Sequence, residues 1–298
     1  MPYVWYNNLS SELKQHLIID ASRTTHFFWH IYSRMNWGEP WYGGFRESQT
    51  EYRFKNQAYF KRNFMPGMLG WFKMTPETSL EDIEWLLARS AGYDAGYAFV
   101  ANTVAFEKNG NTDDILEQIG KWEKLRIGGA FTEDQKENMR NSDKEFSLNE
   151  NADGWTLTEV QTDVFKHEKK VRQPGEPLYS NFEFENKGDK QTLGFILTAL
   201  DSDVKDIILE INNYKKVALP ISLKEGQILK YKAGDDAKIY NDQWQIIREI
   251  EINNQDFNIA EGSNSISIDC TFDKAGKEAG IKLELRTIVG SEIVRELL

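Results

Sequence analysis

The chain contains one cysteine, Cys270, in 298 residues, so no internal disulfide can form and no cysteine cluster can hold a metal. That fits a reducing compartment and equally a periplasmic enzyme that uses no disulfides. No apolar run reaches the ~18–20 residues of a spanning helix. The start, Met1-Pro2-Tyr3-Val4-Trp5-Tyr6, lacks the basic-then-apolar pattern of a secretion signal. Cations are the minority: 36 Lys and Arg against 47 Asp and Glu leave a formal charge of -11. This speaks against nucleic acid as a partner, because phosphate binding needs clustered Lys and Arg. There is no fixed-period repeat, no Gly-Lys-Ser/Thr after Gly128-Gly129 to make a phosphate loop, and no Gly-x-Ser-x-Gly elbow. His16 and His26 are too far apart, with no third ligand, for a metal site. No cofactor is expected.

What the chain does have is aromatic residues, 13% of the total, and they are concentrated early. From His26 to Arg46, eight of the residues are Phe, Trp or Tyr, interleaved with two histidines, two arginines and the carboxylate of Glu39. A plain core strand does not need that mixture. A sugar cleft does, because flat rings stack on the apolar faces of pyranoses while charged neighbours hold hydroxyls and move protons.

Composition changes near residue 150. Seven of nine tryptophans lie at or before Trp122. Three units follow from this: residues 1–131, a polar linker at 132–153, and residues 154–298. In the first unit, short strands alternate with helices. Strands are expected at Leu17–Asp20, Phe27–Tyr32, Met68–Phe72 and Gly96–Ala101. Helices are expected at Glu51–Asn63, from a Ser79 cap through Arg89 and ending by Gly92, and at Asp113–Leu125. This alternation implies parallel strands joined by crossover helices. In the third unit the period becomes two. Strands are expected at Trp155–Val160, Phe182–Phe184, Leu193–Leu197, Ile207–Ile211, Val217–Leu223, Ile228–Tyr231, Trp244–Ile252, Ser265–Cys270 and Ile281–Thr287. Such spacing reads as an antiparallel β-sandwich of jelly-roll type.

Three stretches carry a resemblance: Arg34-Met35-Asn36-Trp37-Gly38-Glu39-Pro40-Trp41, Pro66-Gly67-Met68-Leu69-Gly70-Trp71-Phe72, and Ser79-Leu80-Glu81-Asp82-Ile83-Glu84-Trp85 leading to Ala91–Gly96. Together they resemble the last part of the (β/α) barrel in large glycoside-hydrolase-like proteins of polysaccharide-degrading Bacteroidetes. The downstream unit is similar to the galactose-binding-like sandwiches that follow such barrels. The resemblance implies α/β plus all-β architecture: a partial (β/α)8-type barrel over 1–131, then an antiparallel jelly-roll β-sandwich. It also implies that Met1 is an internal methionine of a longer protein, that the protein works in the periplasm or outside the cell, and that its partner is an oligo- or polysaccharide. The expected reaction is hydrolysis of a glycosidic bond; the alternative is a non-catalytic glycan-binding or scaffolding module.

In a barrel, chemistry gathers where the strands end. Glu39, on a Gly-Pro-bracketed loop, is the first acid/base candidate, set against a salt bridge to Arg34 or Arg46. Asp20, ending the first apolar run, is the second, set against a cap before Ser22-Arg23. Glycoside hydrolysis needs such a carboxyl pair. His30 and Arg34 are candidates to position substrate, and Trp37, Trp41, Tyr42 and Trp71 to stack on sugars. Lys73 and Asn102, at the ends of the third and fourth strands, complete the set. Trp85 reads as core and Asp94 as structural. In the sandwich, Tyr231, Tyr240 and Trp244 could bind glycan or merely buttress the barrel.

Overall fold

The structure is a computed structural model that describes residues 2–17, 19–21, 34–35, 46, 50–152, 154–169, 175–273 and 279–295. It is a mixed α/β arrangement: helices with parallel strands come first, and antiparallel sheets follow.

The first part runs α1 (Pro2–Asn7), α2 (Ser11–His16), β1 (Asp20–Ala21), β2 (Arg34–Met35), α3 (Thr50–Arg62), β3 (Met68–Lys73), α4 (Leu80–Tyr93) and β4 (Gly96–Val100). It continues with α5 (Thr103–Lys108), α6 (Thr112–Ile127) and α7 (Glu133–Arg140). β1 pairs with β2 in parallel, and β3 with β4, with α4 as the crossover between the latter two. Among the described residues of the expected Leu17–Asp20 run, Asp20 alone is strand, continuing into Ala21, and the expected Phe27–Tyr32 strand lies outside the described residues.

α4 begins as its sequence predicts. The Ser79 hydroxyl accepts from the Asp82 N–H, Glu81 and Asp82 occupy the first turn, and Ile83, Leu86 and Leu87 are buried. Its end differs. The helix continues through Gly92 to Tyr93, and Asp94 makes the left-handed cap at φ 49°. Gly92 serves packing instead: a Cβ there would lie 2.9 Å from the Lys136 carbonyl oxygen, so its absence lets α7 press against α4.

The stretch 132–153, expected to be a helix end and linker, carries structure through most of its length. Thr132 and Gln135 form a reciprocal capping box for α7, and Met139 is fully buried. β5 (Glu145–Asn151) then forms the edge of a sheet. Low hydrophobicity misleads here, because three well-placed apolar residues, Met139, Phe146 and Leu148, are enough to dock a helix and an edge strand whose other faces meet water.

The remaining strands are β6 (Gly154–Glu168), β7 (Ser180–Asn186), β8 (Gln191–Thr192), β9 (Gly194–Leu200), β10 (Val204–Ile211), β11 (Lys215–Ala218), β12 (Ile228–Tyr231) and β13 (Ala237–Tyr240). After them come β14 (Ile246–Ile250), β15 (Asn258–Ile259), β16 (Gly262–Phe272) and β17 (Gly280–Val294). A seven-stranded antiparallel sheet, ordered β14-β13-β12-β9-β17-β6-β5, faces a four-stranded one, ordered β11-β10-β16-β7. One core fills the space between them. Phe195, Leu197, Leu229, Ile281, Leu283 and Leu285 meet Leu209, Ile211, Ile266 and Ile268.

Strand alternation then directs Ile196, Thr198, Lys230, Lys282, Glu284 and Arg286 to the opposite face of the large sheet. Part of that face is also covered. Phe146, Leu148, Leu157 and Val294 pack with Ile83, Leu87 and Trp122 of the helices. The large sheet therefore lies between the four-stranded sheet and the helical part.

Two strand expectations change for local reasons. Beyond Ala218 the chain leaves the sheet, though Leu219, Ile221 and Leu223 stay buried. The expected Trp244 strand starts only at Ile246, because Trp244 itself is left-handed at φ 61°.

Candidate functional site

Of the residues singled out in the sequence, His30, Trp37, Glu39, Trp41 and Tyr42 lie outside the described residues. Asp20 and Arg34 are described in their backbones, and they are register partners on β1 and β2. The parallel pair thus sets the second carboxylate candidate directly beside an arginine position.

β3 carries Trp71 and Lys73. Gly70, at φ 90°, sits where the register of β3 on β4 shifts, and a bulge of this kind re-aims the residues that follow. Met68 and Trp71 consequently share one face with Ala98 and Phe60, while Leu69 and Phe72 share the other with Trp85 and Leu86. Without the bulge, Trp71 would point towards α4. Its ring is half-buried, and its carbonyl accepts a 3.1 Å hydrogen bond from Arg53 Nη1. Lys73 is exposed at the strand end, opposite Val100 of β4. Asn102 follows β4 on the same edge, exposed, with its side-chain oxygen accepting from the Ala105 N–H at 2.8 Å as the cap of α5. The parallel unit therefore brings Trp71, Lys73 and Asn102 to the C-terminal end of adjacent strands.

A second constellation was not anticipated. Between the β3–α4 loop and the outer face of the seven-stranded sheet lies a cleft of about 680 Å³. The loop is held by Asn109 Nδ2, which donates to the carbonyls of Thr75 (3.2 Å) and Thr78 (2.8 Å). Trp244 Nε1 donates to the Glu77 carbonyl at 2.9 Å, and Gly110 N–H donates to the Gln243 carbonyl at 2.8 Å.

Charges cross the cleft in a chain. Arg46 donates to Asp82 (2.6 Å) and Glu145 (2.7 Å), and Arg286 contacts Glu145 and Glu284 at 3.0 Å each. Lys230 pairs with Glu81. Burial alone would raise the Glu81 pKa, but Lys230 and Arg286 outweigh it and hold the carboxyl at about 2. Glu145 is likewise held low by Arg286 and Arg46 against its burial. Glu84, one turn further along α4, makes no ion pair among the described residues, and Arg286 and Lys230 lower its pKa too little to offset its burial. Burial pushes it up to about 7, although its carboxyl accepts the Leu148 N–H at 3.2 Å.

The sequence did hold a trace of this network. Lys282, Glu284 and Arg286 alternate with Ile281, Leu283 and Leu285, which marks a charged strand face; nothing local indicates that helices cover it. Arg46, which closes the aromatic stretch, is committed to Asp82 and Glu145. In the sandwich, Tyr231 and Trp244 are both buried, at 2% and 7% exposure, so neither presents an open ring to solvent, and Trp244 lines the cleft with the little of its surface that remains accessible. Among the described residues, no group of three His, Cys, Asp or Glu side chains could hold a metal ion, and no helix is long and apolar enough to cross a membrane.

No family model matches the chain, and no curated protein does. Two solved structures are weakly similar to it. One is an exo-β-1,3-galactanase from Phanerochaete chrysosporium with galactose, at 9% identity and TM-score 0.18, the match covering 47% of this chain and 26% of that one. The other is an isomalto-dextranase from Arthrobacter globiformis T6 complexed with panose, at 9% identity and TM-score 0.19, covering 74% and 50%. The match thus spans half or less of either enzyme. The likeness to carbohydrate-active enzymes is distant and carries no argument.

Proposed function

We propose that this chain supplies the last strand–helix units of a (β/α) barrel with a following jelly-roll sandwich, in a glycoside hydrolase that acts on complex polysaccharide. The observation that carries the reading is the β3–α4–β4 unit. Its parallel strands end together, with Trp71, Lys73 and Asn102 on the edge where barrel chemistry is built. The β1–β2 pair adds Asp20 beside Arg34 in register. Asp20 is assigned the role of nucleophile or water-activating base. Glu39 is assigned the complementary acid role.

The test is reducing-end release from a polysaccharide panel, with Glu39→Gln and Asp20→Asn compared against the parent protein. Each substitution is expected to lower kcat by about 10²–10⁴-fold while circular dichroism stays unchanged. Unchanged turnover in folded Glu39→Gln overturns its assignment. Binding without any release of reducing ends by the parent protein would favour a glycan-binding module instead.

A further inference from the structure

We infer that the cleft between the β3–α4 loop and the large sheet binds an uncharged stretch of glycan and disfavours glycans bearing uronate or sulfate groups. This rests on the carbohydrate reading above and specifies the charge class of the ligand.

The volume of about 680 Å³ falls within the ~300–1,000 Å³ typical of small-molecule sites. One wall is the loop after a parallel strand, the kind of segment from which barrel proteins build ligand contacts. The floor is apolar, made by Ile196, Ile228 and Trp244 packed as one cluster. The walls are polar. Thr198 projects from β9 into the cleft, and its hydroxyl has no hydrogen-bond partner among the described residues.

Two carboxylates flank the opening, Glu77 on the loop and Asp242 on the β13–β14 turn. Both are exposed, and neither is ion-paired among the described residues. An apolar floor bounded by a hydroxyl and by carboxylate acceptors suits a ligand with one apolar face and a rim of hydroxyl donors.

The same walls are unsuited to an anion. The cations around the cleft are already engaged: Arg46 by Asp82 and Glu145, Arg286 by Glu145 and Glu284, Lys230 by Glu81, and Lys282 by Glu284. An incoming carboxylate or sulfate would meet Glu77 and Asp242 with no uncommitted cation among the described lining residues to offset them, and like charges brought together in this way select against the wrong ligand.

The experiment uses Glu39→Gln protein, so that binding is read by calorimetry without turnover. Neutral oligosaccharides are compared with uronate- and sulfate-bearing ones of equal length. Neutral ligands are expected to bind at least about tenfold more tightly. Adding Glu77→Lys and Asp242→Lys, both at exposed positions, should move that ratio by about tenfold or more towards the anionic ligands. Adding Thr198→Trp should fill the cleft and remove the binding that the cleft contributes; the lysine pair carries the test alone if this variant does not fold. An unchanged ratio in the lysine variant overturns the inference, as does full binding by folded Thr198→Trp. Unaltered binding together with a Glu39→Gln loss of turnover would leave the hydrolase reading standing while the cleft falls. Altered binding with no release of reducing ends by the parent protein would do the reverse.

Discussion

The indole N–H of Trp244 donates to the main-chain carbonyl of Glu77, 2.9 Å away and 167 residues earlier in the chain. Trp244 comes from the turn between two sheet strands, and Glu77 from the loop between β3 and α4. The indole is 7% exposed and packs on Ile196, Ile228 and Tyr240. Beside it, Gly110 leaves room for the turn, since a Cβ there would come within 2.2 Å of the Trp244 carbonyl oxygen. Trp244→Ala should therefore cost about 3–5 kcal/mol. Denaturant unfolding should change from one transition to two if this contact couples the helical part to the sheets, and a cost below about 1 kcal/mol would show that it does not.

Arg286 holds Glu145 and Glu284 and lies close enough to Glu81 to lower its pKa. Arg286→Met preserves much of the side-chain volume but leaves these carboxylates short of a cation in a largely buried place. The expected loss is about 3–5 kcal/mol, measured by chemical denaturation at pH 7. Part of it should be recovered at lower pH, where the carboxylates can protonate.

Glu84 sets a pH dependence of opposite sign to its neighbour Glu81. Its folded pKa of about 7 lies above the ordinary 4.5, so between these values the folded state holds the extra proton. Stability should fall as pH rises through that window, by an amount on the order of 3 kcal/mol. Glu81, held at about 2, contributes stability above pH 4.5 that is lost as pH falls towards 2. Glu84→Gln keeps an acceptor for the Leu148 N–H and removes the titration. In thermal melts from pH 4.5 to 8 the variant should be flatter than the parent, and parallel curves would refute the burial effect.

Asn102 allows capping and substrate contact to be separated. Asn102→Ala should lose about 1 kcal/mol by uncapping α5. Asn102→Asp retains the oxygen that accepts from Ala105 and places a negative charge favourably at the helix start, so the melting temperature should hold. If the amide contacts substrate, Asn102→Asp should still lower kcat/KM by about tenfold. Wild-type kinetics in that variant would leave only the capping role.

The local signals in the chain were good where they depended on neighbours in sequence. Ser79 before Glu81 and Asp82 marked the start of α4, and Ile228–Tyr231 emerged with its expected bounds, because capping and two-residue alternation are short-range effects. Signals failed where a residue served a distant partner. Gly92 looked like a helix stop and is a contact point for α7. The polar stretch 132–153 looked like a linker, but its few apolar residues dock onto α4 and the sheet. Gly70 inside a strand was a readable sign of a bulge, and that bulge decides which way Trp71 faces. The candidates Glu39, His30, Trp37, Trp41 and Tyr42 remain sequence readings, and they rest on the mixture of residue types around them.

The order of residues by itself determined a parallel α/β part followed by antiparallel sheets, because periodicity and capping are written into neighbouring side chains. It also determined that Lys282, Glu284 and Arg286 would share one strand face. Only the tertiary structure decided that this face is partly covered by helices and partly left open as the wall of a cleft. It brings Arg286 to Glu145 across 141 positions of sequence, closes a cleft under the β3–α4 loop, and buries Trp244 against Glu77. Such contacts depend on how whole layers stack, and the free energy of an ion pair depends on what excludes water around it.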